Sequence, residues 1–403
     1  MTTQPERPVV QVKYVDTNEG GLWVTWRWEH ALTEPRIWGI PPHALAGALA
    51  AFDQAVPNPR PGESVDDALR RAWDVWGDRG RERRVAGALA AALIPQGLGA
   101  ELNRFLAQGA RPHVRIQPSR ALAAVPWEAL LIDEGTRMVH DVDVSTLLPA
   151  SVRNSPRRVA APERPGGSVV AAVNPVVPGG LPGLGSVLRE REPVVEAALC
   201  AHGDRVVGGL RPHLSREALR EGLAAAGRLL YVGHVTTGAY GLDTSLHLTD
   251  GPESSGRAEL VAGVHRPLTA ADIALGDRWR MPARVALIAC ASGGEQAFAD
   301  PTGLVSAVTA RGASVVTSAR WTLPTDVGLE WLQASRLGAH ATSSSAPFHA
   351  FAGIVAAVDA AHEAQDPVAA LSAWQRSEAD AWERTGDPAH TPLLWGAITT
   401  SVA

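Results

Sequence analysis

The sequence predicts an α/β fold: a mostly parallel sheet covered by helices on both faces, with a small hairpin and helical region in front of it. Three observations carry this. From about residue 85 onward, short apolar runs alternate with helical patterns across the 403-residue chain. Parallel neighbours need long crossovers, and helices supply them. A Pro/Gly/Arg-rich stretch, 155–167, interrupts that alternation as a linker. The first 84 residues follow a different pattern, with period-two alternation on either side of a glycine turn.

Residues 10–15 and 22–28 alternate, and Asn18-Glu19-Gly20-Gly21 lies between them, which predicts a β-hairpin. Trp23, Trp26, Trp28 and Trp38 fall close by; the expected reading is aromatic packing of a small sheet. Helices are expected over 42–55 and 65–76, and the Arg-rich run 79–84 as a solvated helix face. Residues 85–93 and 98–107 predict helices, and 114–116 and 142–148 strands. After the linker, strands are expected at 168–173, 228–233, 284–289 and 314–318, with helices at 187–201, 215–225 and 301–311. Three regions follow: 1–84, the hairpin and helical segment; 85–160, the first half of the α/β unit; and 161–403, its second half.

Composition removes several function classes. The formal net charge is −5, with 45% hydrophobic and 20% charged residues, ordinary for a soluble globular protein and unlike a nucleic-acid binder. Lys13 is the sole lysine and no glycine loop precedes it, so a P-loop nucleotidase is excluded. The start of the chain lacks the apolar core of a secretory signal, and no apolar run of membrane-spanning length occurs. Cys200 and Cys290 are the only cysteines, so a disulfide framework is excluded and a reducing cytoplasm is the expected location. With no CxxC pair and scattered histidines, neither a metal nor an organic cofactor is expected.

In parallel sheets, ligands sit beyond the carboxyl ends of the strands. Two apolar runs end there in reactive side chains. Leu229-Leu230-Tyr231-Val232-Gly233 leads to His234, and Val285-Ala286-Leu287-Ile288-Ala289 leads to Cys290. A lone buried cysteine is ordinary core packing. What favours chemistry here is the small turn Ala291-Ser292-Gly293-Gly294 after it, and a histidine 56 residues upstream (290 − 234). A thiolate nucleophile needs a neighbouring imidazole to take or hold its proton.

Rival residues are weaker. Cys200 with His202-Gly203 reads as an amphipathic helix end and its cap. Gly179-Gly180 and Gly183-Leu184-Gly185 lack the third glycine of a dinucleotide loop and read as a plain turn. His247 and His265 are expected as surface or loop histidines. Thr237 and Asp243 are alternatives for orienting His234.

The landmarks of the chain, taken in order, resemble the CHAT family of caspase-like peptidases, in the clan of caspases, separases and gingipains. Leu122-Ala123-Ala124-Val125-Pro126-Trp127-Glu128-Ala129-Leu130 is similar to the family's L-x-x-[IV]-P-W-E-x-L segment. Leu268-Thr269-Ala270-Ala271-Asp272-Ile273 is similar to its L-T-A-x-D-I helix start, and Ala289-Cys290-Ala291-Ser292-Gly293 to A-C-x-[TS]-G. Gly303-Leu304 through Val316 resembles the following helix and strand. Trp321 and Asp326 match a tryptophan and aspartate near S-L-W-x-V-x-D, and 392–395 resembles the closing strand.

The resemblance implies a caspase-like α/β/α sandwich with a non-catalytic first half and a catalytic second half. In it, His234 and Cys290 form a dyad that hydrolyses peptide bonds, and the backbone N–H groups of Cys290 and Val235 hold the oxyanion. It also implies a protein or peptide substrate, an activating or regulatory protein partner, no direct nucleic-acid or membrane contact, and a role as a regulated effector in a bacterial conflict or antiviral system. Thr237, Asp243, Ile288, Trp321 and Asp326 are orienting or substrate-pocket candidates. Two positions depart from the family: Val235 stands where glycine is usual, and Ile288 where many relatives have serine. Val235 also favours the competing reading of a degenerate docking protein. A cysteine-dependent acyltransferase or amidohydrolase acting on a small molecule would use the same dyad.

Overall fold

The computed structural model describes residues 7–156, 158–289, 303–337 and 348–403. The chain divides into two compact units, 1–147 with 371–396, and 148–370 with 397–403.

The first unit opens with the expected hairpin, β1 (Val9–Asp16) and β2 (Leu22–Trp28), paired antiparallel from Val10↔Trp28 to Asp16↔Leu22. Its turn is closed by Thr17 N–H donating to Gly21 O at 2.9 Å. Gly20 takes a φ of +83°, a conformation in which glycine suffers no Cβ clash. A third strand, β3 (Arg36–Ile40), pairs antiparallel with β2; the sequence reading placed no element there. Helices α1 (Pro42–Ala55), α2 (Val65–Trp76), α3 (Arg79–Leu93) and α4 (Gln96–Ala107) follow. Ser64 and Asp78 cap α2 and α3 by accepting from the N–H groups of Asp67 and Arg81.

Strand β4 (His113–Gln117) runs parallel to β1, and β7 (Asp143–Leu147) parallel to β4, giving the order β3-β2-β1-β4-β7. Between them lie the short pair β5 (Leu131–Asp133) and β6 (Thr136–Arg137) and helix α5 (Met138–Asp141). One expectation needs correction here, and a second holds with one exception. Trp26 and Trp28 are buried and donate to Glu101 at 3.0 and 2.7 Å, but Trp23, on the outward face of β2, and Trp38, on the edge strand β3, are about half exposed. The Arg-rich start of α3 faces water, yet Glu82 within it is wholly buried, held by both terminal nitrogens of Arg137 at 2.7 and 2.8 Å.

The second unit carries the parallel sheet. Its strands are β8 (Val169–Val173), β9 (Val206–Leu210), β10 (Arg228–Val232), β14 (Arg284–Ile288), β15 (Val315–Ala319) and β16 (Ile398–Val402), in the order β16-β15-β14-β10-β8-β9. All pairings are parallel except β15 with β16. Strands β8 and β10 are buried at every residue, as continuous apolar runs in a sheet covered on both faces should be.

Helices α6 (Ala150–Arg153), α7 (Pro193–Cys200), α8 (Arg216–Leu223), α9 (Ala270–Leu275), α10 (Leu304–Ala310), α11 (Asp326–Leu337) and α12 (Ala350–Glu363) belong to this unit. A separate sheet of two-residue strands lies after β10: β11 (Val235–Thr236), β12 (Ser245–Leu246) and β13 (Leu268–Thr269). Helix α7 starts six residues later than the expected 187, because Pro193 biases Glu192 away from the helical region and itself suits the first turn.

Helix α13 (Pro367–Thr385) leads back into the first unit. The expected closing strand at 392–395 is instead a helical turn, α14 (Pro392–Trp395), with Pro392 at its start and Thr391 as cap; the closing strand is β16. No single helix among the described residues is long and apolar enough to cross a membrane.

Candidate active site

Strand β10 is flanked by β8 and β14, with Val232 in register with Val173 on one side and Ile288 on the other. Past its end, Gly233 N–H donates to Ile288 O at 3.2 Å, holding the two strand ends together. Tyr231 is wholly buried, and burial raises its pKa, so the hydroxyl keeps its proton. That hydroxyl lies 2.7 Å from His234 O and 3.1 Å from His247 O, and accepts from His247 N–H at 3.2 Å. A Cβ at position 233 would stand 2.9 Å from the hydroxyl oxygen and 3.1 Å from the ring carbon bearing it. Tyr-Val-Gly-His is therefore one unit: the tyrosine folds over a glycine and anchors the histidine backbone.

The His234 side chain is half-buried, with Nε2 2.6 Å from the carbonyl oxygen of Gly185. A carbonyl only accepts, so Nε2 carries a proton; in the neutral ring the lone pair is then on Nδ1, which makes no hydrogen bond among the described residues. Gly185 lies in the loop from β8 to α7. Asn174 fixes that loop, its side chain donating to Ser186 Oγ at 2.6 Å and accepting from Val187 N–H at 3.0 Å. The glycines of this loop, expected as a plain turn, thus also supply a group to His234.

Val235 follows as the first residue of β11, with its side chain buried among Leu246, Leu248 and Leu268 in the core of the unit. It is not among the non-glycine residues with positive φ, so valine is unstrained there. In an antiparallel ladder, hydrogen-bonded and non-hydrogen-bonded pairs alternate. His247 N–H donates to His234 O at 3.3 Å, and Val235 pairs with Leu246, so Val235↔Leu246 is a non-hydrogen-bonded pair. The Val235 N–H consequently points away from β12, toward the β11 edge of the small sheet.

Cys290 lies outside the described residues, as does the turn Ala291-Ser292-Gly293-Gly294. Its chain neighbour Ala289 is buried at the end of β14, and Ile288 is fully buried. Thr237 is exposed. The Asp243 carboxylate accepts from Tyr240 N–H at 3.3 Å. Trp321 is wholly buried. Asp326 caps α12 by accepting from Phe351 and Ala352 N–H at 2.9 and 3.3 Å, and burial pushes its carboxyl up.

Two expectations about histidines are corrected. His247 and His265 do lie outside the named strands and helices, but they are fully buried rather than at the surface, and are hydrogen-bonded to each other. His202 is not the cap: α7 ends at Cys200 with Ala201 as its C-cap, and His202 is buried against Asp359 at 2.7 Å and Arg228 at 2.9 Å. Cys200 is exposed at the end of α7, and no metal-holding cluster of His, Cys, Asp and Glu occurs among the described residues.

Comparison with known proteins gives one family and one fold. A family model, the CHAT domain, matches residues 83–334. No curated protein matches the chain. Among solved structures, the Saccharomyces cerevisiae separase–securin complex at 2.6 Å resolution is similar with a TM-score of 0.52 at 9% identity, over 98% of this chain and 30% of that one. The same complex at 3.0 Å gives a TM-score of 0.50 at 10% identity, again over 98% and 30%. The chain thus spans less than a third of the chain it matches. The family match extends over more than half of the 403 residues, and the chain belongs to the CHAT domain family, with a caspase-like α/β fold similar to that of separase.

Proposed function

We propose that this protein is a cysteine endopeptidase in which Cys290 is the nucleophile and His234 its base. The observation that carries the reading is the orientation of His234: it sits two residues past β10, with Nε2 held by the Gly185 carbonyl, which leaves Nδ1 as the ring nitrogen that can take a proton. Chain connectivity supports the partner. Cys290 is two residues past Ile288 just as His234 is two past Val232, and these strand ends are in register on neighbouring strands, which lie about 4.8 Å apart.

In this reading Nδ1 takes the thiol proton of Cys290. The thiolate attacks the scissile carbonyl carbon, and the carbonyl oxygen takes the negative charge. The Val235 N–H, directed away from its own ladder, is one donor to that oxyanion, and the Cys290 N–H the second. Collapse of the tetrahedral adduct breaks the C–N bond as imidazolium gives its proton to the leaving amine. Water then hydrolyses the thioester, releasing the acid and restoring the thiol.

Val235 no longer favours a docking-only protein, because its backbone is unstrained and its N–H is not consumed by β12. A protein substrate and a regulatory protein partner are part of the proposal. The family match supports the former, and the two similar structures, each a complex of separase with securin, support the latter. The test is cleavage of a proteome-derived peptide library: new amino termini should appear with wild type and vanish with Cys290→Ala, whose Cys200 is intact.

A further inference from the structure

The strand after His234 leads into a buried run of side chains that the peptidase chemistry above does not use. Thr236 Oγ1 lies 3.1 Å from Nε2 of His247. His247 Nδ1 lies 3.1 Å from Nε2 of His265, and His265 Nδ1 lies 2.8 Å from the carbonyl oxygen of Asp250. Both imidazoles are buried, at 1% and 0% exposure, whereas Thr236 is exposed.

Burial lowers the pKa of both rings, that of His247 to about 3, so each is neutral at pH 7, with one N–H and one lone pair. The direction of the chain then follows from its far end. The Asp250 carbonyl can only accept, so His265 is protonated on Nδ1 and accepts on Nε2. His247 must then donate from Nδ1 and accept on Nε2, and the donor to that Nε2 is the Thr236 hydroxyl. The reverse polarity would set a lone pair of His265 against the carbonyl. The hydroxyl proton is therefore committed inward, and only oxygen lone pairs face out. Thr236↔Ser245 is the hydrogen-bonded pair next to Val235↔Leu246, so the Thr236 backbone is used by β12. Its hydroxyl oxygen is what this residue can offer a ligand.

We infer that Thr236 is a substrate-binding residue, an obligate hydrogen-bond acceptor set by the His265–His247 relay, which receives a main-chain N–H of the bound peptide. The inference rests on the peptidase reading of the adjacent His234. A peptide presents an N–H at nearly every residue, and a carboxylate brought to the same place would meet lone pairs against lone pairs.

Two measurements on the full-length protein test it. Long-range nitrogen–proton correlation spectra of 15N-histidine-labelled protein at pH 7, assigned with His247→Gln and His265→Gln, should show both rings protonated on Nδ1. An Nε2–H form at His247 overturns the relay, whatever the protein cleaves. The second measurement uses the best substrate from a positional-scanning fluorogenic peptide library. Thr236→Val should lower kcat/KM about three- to tenfold, the worth of one neutral hydrogen bond, chiefly through KM, while Thr236→Ser retains it. In a series N-methylated one amide at a time, the valine-to-wild-type ratio should return to one at a single position. A valine variant as fast as wild type, or a ratio unchanged along the series, overturns the substrate role. If wild type cleaves no library member, the peptidase reading falls and this role with it, while the tautomers still decide the relay alone.

Discussion

The hydroxyl of Tyr231 lies 2.7 Å from the carbonyl oxygen of His234, three residues further along the chain. The same hydroxyl meets both backbone polar groups of His247, so one buried oxygen ties the end of β10 to the small sheet beside it. In Tyr231→Phe the His234 carbonyl keeps only the longer bond from His247 N–H. Stability should fall by about 1–2 kcal/mol and peptide cleavage by roughly tenfold. Denaturant unfolding and kinetics on the same preparations check this; a phenylalanine variant with wild-type kinetics contradicts the anchoring role.

Gly233→Ala should be harmful for a steric reason that a second substitution partly removes. The new Cβ would stand 2.9 Å from the Tyr231 oxygen and 3.1 Å from its ring carbon, an overpacking expected to cost about 1–3 kcal/mol. Deleting the oxygen in Gly233→Ala with Tyr231→Phe should recover part of that cost. A double-mutant cycle reads the coupling, and strict additivity contradicts the contact.

Val235→Gly tests the departure from the family's usual glycine. Removing a buried side chain from a strand should cost about 2–3 kcal/mol, with no gain in turnover, because the backbone is already in a strand conformation that valine favours. Thermal melts and single-turnover cleavage check this. A faster glycine variant contradicts the account of the Val235 N–H.

The elements around these positions were not equally legible in the sequence. Strands β8, β10 and β14 were readable because strands buried on both faces must be continuous apolar runs, and the ends of two of them pointed to His234 and Cys290. Tyr231, His247 and His265 were not, since a tyrosine in an apolar run looks like packing and the role of a buried histidine depends on partners distant in the chain. The group on His234 Nε2 is a backbone carbonyl, which no side-chain pattern reveals. The late start of α7 and the helical turn at Pro392 did have a local signal: proline suits the first turn of a helix.

Acid should destabilise the protein through its buried histidines. His247 and His362 are lowered to about 3 by burial, against about 6.5 in an unfolded chain. Below pH 6.5 the unfolded chain binds protons that the folded state refuses, so stability is complete above that pH and is lost as pH falls toward 3. Each ring should account for on the order of 3 kcal/mol by pH 4. His362, buried against Thr317 Oγ1 at 2.8 Å, is the simpler one to replace. Urea unfolding of His362→Gln from pH 7 to 4 should give a shallower decline than wild type; parallel curves contradict the assignment.

Activation of Cys290 by His234 is tested by the rate at which iodoacetamide alkylates each cysteine as a function of pH, read by peptide mass spectrometry. Cys200, exposed at the end of α7, is an internal reference in the same molecule. Cys290 should react faster than Cys200 near pH 6, and His234→Gln should remove the advantage while leaving Cys200 unaffected. A wild-type Cys290 that reacts no faster than Cys200, or an advantage that survives His234→Gln, contradicts that activation.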